Sequence, residues 1–585
     1  MATEKYDVII IGSGISGSLT ALQLAKAKYK ILIVEAGDKK ADRSKYLNNF
    51  SILNQKDKSP NAPYTKGADA NNKMAPSSDV QDFSLYDPAK KQFFVQTGPD
   101  AFKSQYLRIA GGTTWSWRGN CPRFLPSDFQ MKSKYGVGED WPLYDPNDKT
   151  KTPYDILEPY YCNAEDEIGI SGNDKEWDPV VNGKKSRPYP MKNIVQAFGD
   201  IQVKKKVEGK KVEGKKIKVI STPQARLSPQ TDLSKQKNNY GERRACEGNH
   251  NCIPVCPSGA KYEAFYTLEK ALKAGATMIE KAVVTKLALD KTGKRIEKII
   301  YKRWDESGDV KKVIEETAEG KIVVLAAGAI ETAKLLLMSG VANSSDQVGR
   351  NLMDHLGGEG ACLLPFKVFP FRGPQSTSAI DVYRDGDFRK DKCGFRITVG
   401  NDGWGRGKHP FDVFEALLQN KFPKLYGKEL NHELEDLITK QFRFSYSTDM
   451  LPNPENRVTL SNYKDELGIP KPQIKMKVDG YSKKGFEFAQ SVIKQLFTLL
   501  KAPQHSWEFT PKDAYSGSGH IMGTCRMGSN SKTSVVDSEC RTHDHQNLFI
   551  VDASVFTTGS TANPTITIAA IALYAADKII SQLKK

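Results

Sequence analysis

The segment YDVIIIGSGISGSLTALQLAKAKYKILIVE, Tyr6 to Glu35, constrains this chain more than any other. Its first six residues have the continuous apolar character of a parallel strand buried on both faces. A helical stretch, SLTALQLAKA, follows the glycines, and a second apolar strand, ILIV, ends on Glu35. Each glycine has a mechanical reason: Gly12 makes the tight turn, Gly14 lets the backbone approach a pyrophosphate, and Gly17 allows close helix–strand packing. The helix N-terminus offers unpaired N–H groups to phosphate oxygens. Glu35, eighteen residues beyond Gly17, is placed to take a ribose hydroxyl. Strand, glycines, helix, strand and acid in this order predict a dinucleotide-binding unit and an α/β fold, without separating FAD from NAD.

The rest of the chain must supply a partner for that unit, and 585 residues suffice for two domains or one large composite one. No run of eighteen apolar residues occurs, so no membrane-spanning segment is expected. The start has no basic region, long apolar stretch or small-residue cleavage site, so no export signal of the chain's own is expected either. Lys and Arg exceed Asp and Glu by 86 − 69 = 17. Part of that surplus is the tandem run KKKVEGKKVEGKKIK, Lys204 to Lys218. It reads as a solvated hairpin or loop, with a patch for an acidic protein or anionic headgroups as the alternative. Without interleaved aromatics or a binding motif it does not indicate nucleic acid.

Nine cysteines scattered over the chain do not make a disulfide scaffold, but three stand together in CEGNHNCIPVCPSG, at Cys246, Cys252 and Cys256. Zinc, one disulfide with a free thiol, and plain buried cysteines all remain open readings. An iron–sulfur cluster is favoured, because thiolates are its ligands and a closing Cys-Pro ends the common ferredoxin run.

Four further segments bear on the cofactor: YLRIAGGTTWSW (Tyr106 to Trp117), KIVVLAAGAIETAKLLLMSG (Lys321 to Gly340), GSGHIMGTCRMG (Gly517 to Gly528) and the C-terminal NLFIVDASVFTTGSTANPTITIAAIALYAADKI. In this order they resemble the glucose–methanol–choline (GMC) family of FAD oxidoreductases over nearly the whole chain. The resemblance implies a Rossmann-like FAD-binding domain and an antiparallel-sheet substrate domain. It implies FAD held at Gly12, Gly14, Gly17 and Glu35, with Gly111, Gly112 and Thr113 beside the isoalloxazine ring. Val284 would meet the adenine, and Asp552 and Ala553 the ribityl–pyrophosphate region. His520 matches the family's catalytic histidine, and Asn563 its partner at the flavin. Oxidising an alcohol needs its O–H proton removed as hydride moves to the flavin, a task suited to histidine. Asn563 would hold the same oxygen. His355 reads as structural or near the flavin, and His543 and His545 as parts of a turn.

With its cysteine loop the chain further resembles the large subunits of bacterial membrane-linked sugar and polyol dehydrogenases, including those for glucose, fructose and gluconate, and glucoside 3-dehydrogenases. That implies a [3Fe–4S] cluster on Cys246, Cys252 and Cys256, with Cys121 as a candidate remote ligand. It implies a sugar, sugar acid, glycoside or polyol as substrate. The implied partners are a small chaperone-like subunit and a cytochrome c or other electron acceptor. Location would be the periplasmic side of the inner membrane by co-export, with membrane association only through partners, and the cytoplasm as alternative. Gly519 stands where the glucose and fructose enzymes have Asn, and the surroundings of Ser116 differ, so the particular sugar does not transfer. The rival readings are an oxygen-using alcohol oxidase, a lyase with structural FAD, and an electron-transfer subunit without its own substrate.

The expected division is a discontinuous FAD-binding domain at 1–125, 210–360 and 515–585, containing the iron–sulfur loop 246–259, and a substrate domain at 126–209 and 361–514. Within the latter, RVTLSNYKDELGIPKPQIKMKV reads as two alternating strands joined by a turn, and FEFAQSVIKQLFTLLK as an amphipathic helix.

Overall fold

In the computed structural model, residues 5–37, 94–104, 106–232, 240–248, 252, 256–305, 312–401, 410–420, 425–465 and 467–585 are described. Lys5–Ile11 is an inner strand of a seven-stranded sheet. Parallel partners flank it on both edges, Ile31–Val34 on one side and Lys312–Leu325 on the other, with Val8 level with Ile31 and Ile322. Thr277–Ile279 and Leu548–Ile550 extend the parallel part outward. The first half of Lys312–Leu325 turns away to pair with an antiparallel ribbon, Ala282–Leu289 and Ile296–Asp305. Val8, Ile9, Ile10, Ile31 and Ile33 have no exposed surface, which is why these strands are apolar at consecutive positions.

The helix Ile15–Lys26 begins directly after the glycines and packs against Thr565–Leu583 and Phe265–Lys273. Close approach is enforced at two glycines. Gly12 has φ +98°, and a Cβ there would lie 2.6 Å from the Ala326 carbonyl oxygen. A Cβ on Gly17 would lie 2.0 Å from the carbonyl oxygen of Gly12.

The C-terminal helix bears on the expectation that no segment spans a membrane. Thr565–Leu583 is long and apolar enough to cross a membrane by length and composition. Its apolar character comes from the core: it packs between Ile15–Lys26 and Pro153–Ile168, with Ile566, Ala569, Ala570, Ile571 and Ala572 fully enclosed. Such a helix is apolar around most of its circumference because protein surrounds it.

A second seven-stranded sheet is antiparallel, in the order Glu508–Phe509, Leu356–Leu363, Gln441–Thr448, Phe395–Val399, Ser378–Ile380, Val219–Ser221, with Ser516–Gly517 also on Leu356–Leu363. The amphipathic helix Gly480–Leu499 covers it, placing Phe486, Ile493, Leu496 and Phe497 against Phe395, Ile397 and Phe444. The two strands expected at Arg457–Lys464 and Pro470–Lys475 form, but not as part of this sheet. They pair with each other and, in parallel, with Val95–Thr97, and they pack on the helix Ala329–Ser339. The alternation specifies strands, whereas the partner was decided by a distant edge. The basic run is part helix, part hairpin: its first lysines end the helix Phe198–Val207, and Lys211–Val212 pairs with Lys215–Lys216.

The substitution Gly17→Val forces the helix off the first turn. It is expected to cost roughly 1–3 kcal/mol, as overpacking does. A thermal melt should show a lower midpoint, together with less FAD retained on purification.

Candidate active site

A crevice of about 930 Å³ opens at the C-terminal ends of the parallel strands, where ligands sit in open α/β sheets. Of the residues expected around FAD, Gly12, Gly14, Glu35, Gly112, Thr113, Val284, Asp552, Ala553 and Asn563 all line it, as does His520. Gly17 lies behind the wall, in the helix–strand contact, and Gly111, at φ +89°, makes the turn that presents Gly112.

The residues present fit the dinucleotide. A Cβ on Gly14 would meet nothing within 4 Å, so the backbone faces open space there. Gly14 begins its helix without a side-chain cap, leaving the first-turn N–H groups for a ligand. Glu35 is buried, and its carboxylate accepts from the Ser13 N–H at 2.8 Å, the Ser13 hydroxyl at 2.7 Å and the Gly37 N–H at 2.7 Å. Burial raises its pKa against those bonds. Asp552 ties two turns together: it accepts from the Gly328 N–H at 2.9 Å, the Thr332 hydroxyl at 2.6 Å and the Ser554 N–H at 2.9 Å.

At the opposite end, His520 Nε2 meets Asn563 Nδ2 at 2.9 Å, and His520 Nδ1 meets His355 Nδ1 at 2.8 Å. An amide nitrogen only donates, so His520 Nε2 is the acceptor. Burial lowers the His520 pKa to about 3, so the ring is neutral at pH 7. Its one proton therefore sits on Nδ1 and is donated to His355. His355 is fully buried, and burial first, then the neighbouring His520, hold its pKa well below the ordinary value. Both rings are thus neutral, and Nε2 of His520 keeps its lone pair toward the crevice.

Sequence reasoning missed what holds this pair. Asp354 accepts from the His355 N–H at 2.7 Å, the His520 N–H at 2.9 Å and the Ser518 N–H at 3.2 Å, and from the Ser104 hydroxyl. His355, expected to be structural or near the flavin, touches the expected catalytic histidine across 165 residues. Only the adjacency of Asp354 and His355 in GRNLMDH marked that place. His543 and His545 stand elsewhere, on Ser534 and on the Ala342 N–H.

The crevice wall toward the antiparallel sheet is polar: Glu359, Arg396, Thr398, Ser445 and Ser447 face it. Arg396 is buried, donates to Asp381 and to Thr222 at 2.8 Å each, and reaches Asn563 Oδ1 at 3.5 Å. That contact turns the amide nitrogen of Asn563 toward His520.

Of the cysteine stretch, residues 249–251 and 253–255 lie outside the described residues. Cys252 and Cys256 are buried, Cys246 is half-buried, and all are free thiols. Charges on Cys256 and Cys246 act on Cys252, so the three lie within electrostatic reach of one another. Among the described residues, no group of three or more His, Cys, Asp or Glu side chains is arranged to hold a single metal ion. Cys121, also buried, sits in the large core with Phe124 and Tyr161.

Known proteins match this arrangement. Models described as GMC oxidoreductase match residues 191–357 and 452–572, and one described as FAD dependent oxidoreductase matches 7–71. The chain is 34% identical to the fructose dehydrogenase large subunit of Gluconobacter japonicus, covering 100% of this chain and 99% of that one. It is 26% identical to 2-methyl-1,2-propanediol dehydrogenase of Mycolicibacterium austroafricanum, over 99% of this chain and 96% of the relative. A solved formate oxidase shares the fold, with a TM-score of 0.62 at 14% identity, over 100% and 99% of the two chains. Fold and crevice define an FAD-dependent oxidoreductase acting on CH–OH donors. Within that class, the chain belongs to the GMC oxidoreductase family.

Replacing His355 by Leu leaves the His520 Nδ1–H without an acceptor and frees its tautomer. The cost of an unsatisfied buried donor predicts a fall of about ten- to hundredfold in the rate of anaerobic flavin bleaching. FAD content should not change. Bleaching at the wild-type rate would mean that the tautomer is set by another group.

Proposed function

We propose that this chain is the catalytic subunit of a dehydrogenase that oxidises a hydroxyl of a sugar, sugar acid, glycoside or polyol. We propose also that electrons leave it through an iron–sulfur centre on Cys246, Cys252 and Cys256 to an external acceptor. The observation that carries the chemistry is the neutral His520 ring held between Asn563 and His355 at the end of the FAD crevice. Bound FAD supplies the hydride acceptor that alcohol oxidation requires.

In this reading an alcohol oxygen enters against both His520 and Asn563, replacing their direct contact with one hydrogen bond to each. His520 Nε2 takes the hydroxyl proton, and His355 keeps the ring oriented as the charge appears. The Asn563 amide donates to the same oxygen as negative charge builds on it, with the buried Arg396 guanidinium behind the amide. The polar wall of Glu359, Arg396, Thr398, Ser445 and Ser447 suits a ligand with several hydroxyls. The 34% identical fructose dehydrogenase large subunit supports both the sugar class and partner subunits.

The cluster reading rests on the thiols themselves: thiolates are the ligands of iron–sulfur centres, and a Cys-Pro closes the common ferredoxin run. A [3Fe–4S] centre held by Cys246, Cys252 and Cys256 would supply one-electron transfer. A small chaperone-like subunit, a cytochrome c or similar acceptor, and the periplasmic face of the inner membrane complete the proposal.

The test is anaerobic mixing of purified holoprotein with a panel of sugars, sugar acids, glycosides and polyols, followed by flavin absorbance. Bleaching by members of this panel is expected, and bleaching by none of them would sink the substrate class. The His520→Ala variant should bind FAD but bleach about 10²–10⁴-fold more slowly. Turnover should be faster with an artificial dye acceptor than with oxygen, and equal rates would favour an oxidase. Because the His520 pKa is lowered, the base is already neutral throughout the range where an ordinary histidine titrates. A profile of kcat/KM against pH should therefore show no acid limb centred near 6.5.

A further inference from the structure

Among the described residues, three of the largest fully buried side chains are cations: Arg389, paired with Asp128 and Asp449, and Arg226 and Lys261. Arg226 and Lys261 face each other across an isolated antiparallel bridge. Both belong to the small backbone ladder that carries the cysteine stretch: the Cys246 N–H donates to the Leu227 carbonyl at 2.8 Å, and the Leu227 N–H to the Ala260 carbonyl at 3.1 Å. Lys261 Nζ donates to the carbonyls of Trp115 at 2.6 Å and Thr114 at 3.1 Å. These two residues directly follow Gly112 and Thr113, which line the FAD crevice. One buried lysine therefore ties the cysteine stretch to the flavin-facing turn.

Arg226 presents a charge problem. Its guanidinium donates to the Arg118 carbonyl at 2.6 and 3.2 Å and to the Gln375 carbonyl at 2.9 Å. It forms no ion pair with a carboxylate among the described residues. A buried charge without a counter-charge is among the costliest features a fold can carry. The ionisable groups near it that could carry the opposite sign are thiols: Arg226 acts on Cys252 and Cys121, Lys261 on Cys252 and Cys256, and the Lys261 backbone N–H donates to Cys256. Arg118, in the crevice wall, is likewise coupled to Cys252. Glu263, acting on Cys256, and Glu359, acting on Arg118, are the acidic groups on the same side.

We propose that Arg226 and Lys261 are the built-in counter-charges of an anionic sulfur centre on Cys246, Cys252 and Cys256, set between that centre and the flavin-facing turn, and that they raise its reduction potential. The inference rests on the iron–sulfur reading above. Adding an electron places one more negative charge beside the two cations, so each cation favours the reduced form. Removing either makes the centre harder to reduce and a poorer acceptor for electrons from the crevice.

The experiment uses the FAD-loaded protein and four variants, Arg226→Gln, Arg226→Lys, Lys261→Met and Lys261→Arg. Iron, acid-labile sulfide and FAD are assayed in each, and the centre is titrated against redox mediators by electron paramagnetic resonance. The charge-keeping variants are expected to hold the wild-type potential. Each neutral variant should lower the reduced-to-oxidised ratio at fixed potential about tenfold, a shift of about 59 mV for one electron. Loss of iron and sulfide from the neutral variants alone, with FAD kept, is the same result in stronger form. Neutral variants that titrate as wild type, or charge-keeping variants that lose the centre as fully as neutral ones, overturn the assignment. Wild-type protein with FAD but neither iron nor sulfide overturns the iron–sulfur reading itself, and this inference with it.

Discussion

The reacting end of the crevice depends on one buried carboxylate. Asp354 stands just before the strand Leu356–Leu363 and takes hydrogens from the backbone of His355, Ser518 and His520 and from Ser104. Ser104 in turn accepts from the Gly519 N–H at 2.7 Å. Burial raises the Asp354 pKa, and the four hydrogen bonds oppose that rise. If the His520 loop moved away, this carboxylate would be left desolvated with its partners gone, at a cost of several kcal/mol. The contact between His520 and Asn563 thus inherits its precision from a group that touches neither ring.

Charge is distributed along the molecule according to what each region must do. Around His520 and His355, burial removes charge, and a base is useful only in that neutral state. At the dinucleotide end, Glu35 and Asp552 spend most of their hydrogen-bonding capacity on the protein's own turns, fixing the backbone shape that faces the ligand. Beside the thiols the rule reverses, and buried cations are retained. Lys261 joins that region to the turn Gly112–Ser116 through the Trp115 carbonyl.

Much of this site was legible in the linear chain, because some motifs carry their own geometry. The glycines at 12, 14 and 17 occur with a strand before and a helix after, so turn and ligand-facing backbone follow from local sterics. His520 and Asn563 stood out in their segments, and the fold brings them to 2.9 Å. What stayed illegible were residues whose meaning lies in a distant neighbour. His355 read only as structural or near the flavin, because the ring it touches is 165 positions away. Arg226 and Lys261 looked like two of 86 basic residues, most of which belong to a solvated surface. The hairpin Arg457–Lys464 and Pro470–Lys475 announced its strands but not the edge they join.

The sequence by itself determined the dinucleotide turn and the strands and helices around it, and it marked the histidine, the amide and the three thiols as candidates. Those follow from local physics: side-chain period, backbone freedom at glycine, and the chemistry each residue type can perform. Tertiary structure alone decided which nitrogen of His520 is basic, which carboxylate holds its loop, and which cations are buried on the backbone ladder that carries the cysteine stretch. Each of those depends on burial and on partners brought together from far along the chain, and neither quantity is a property of a residue in isolation.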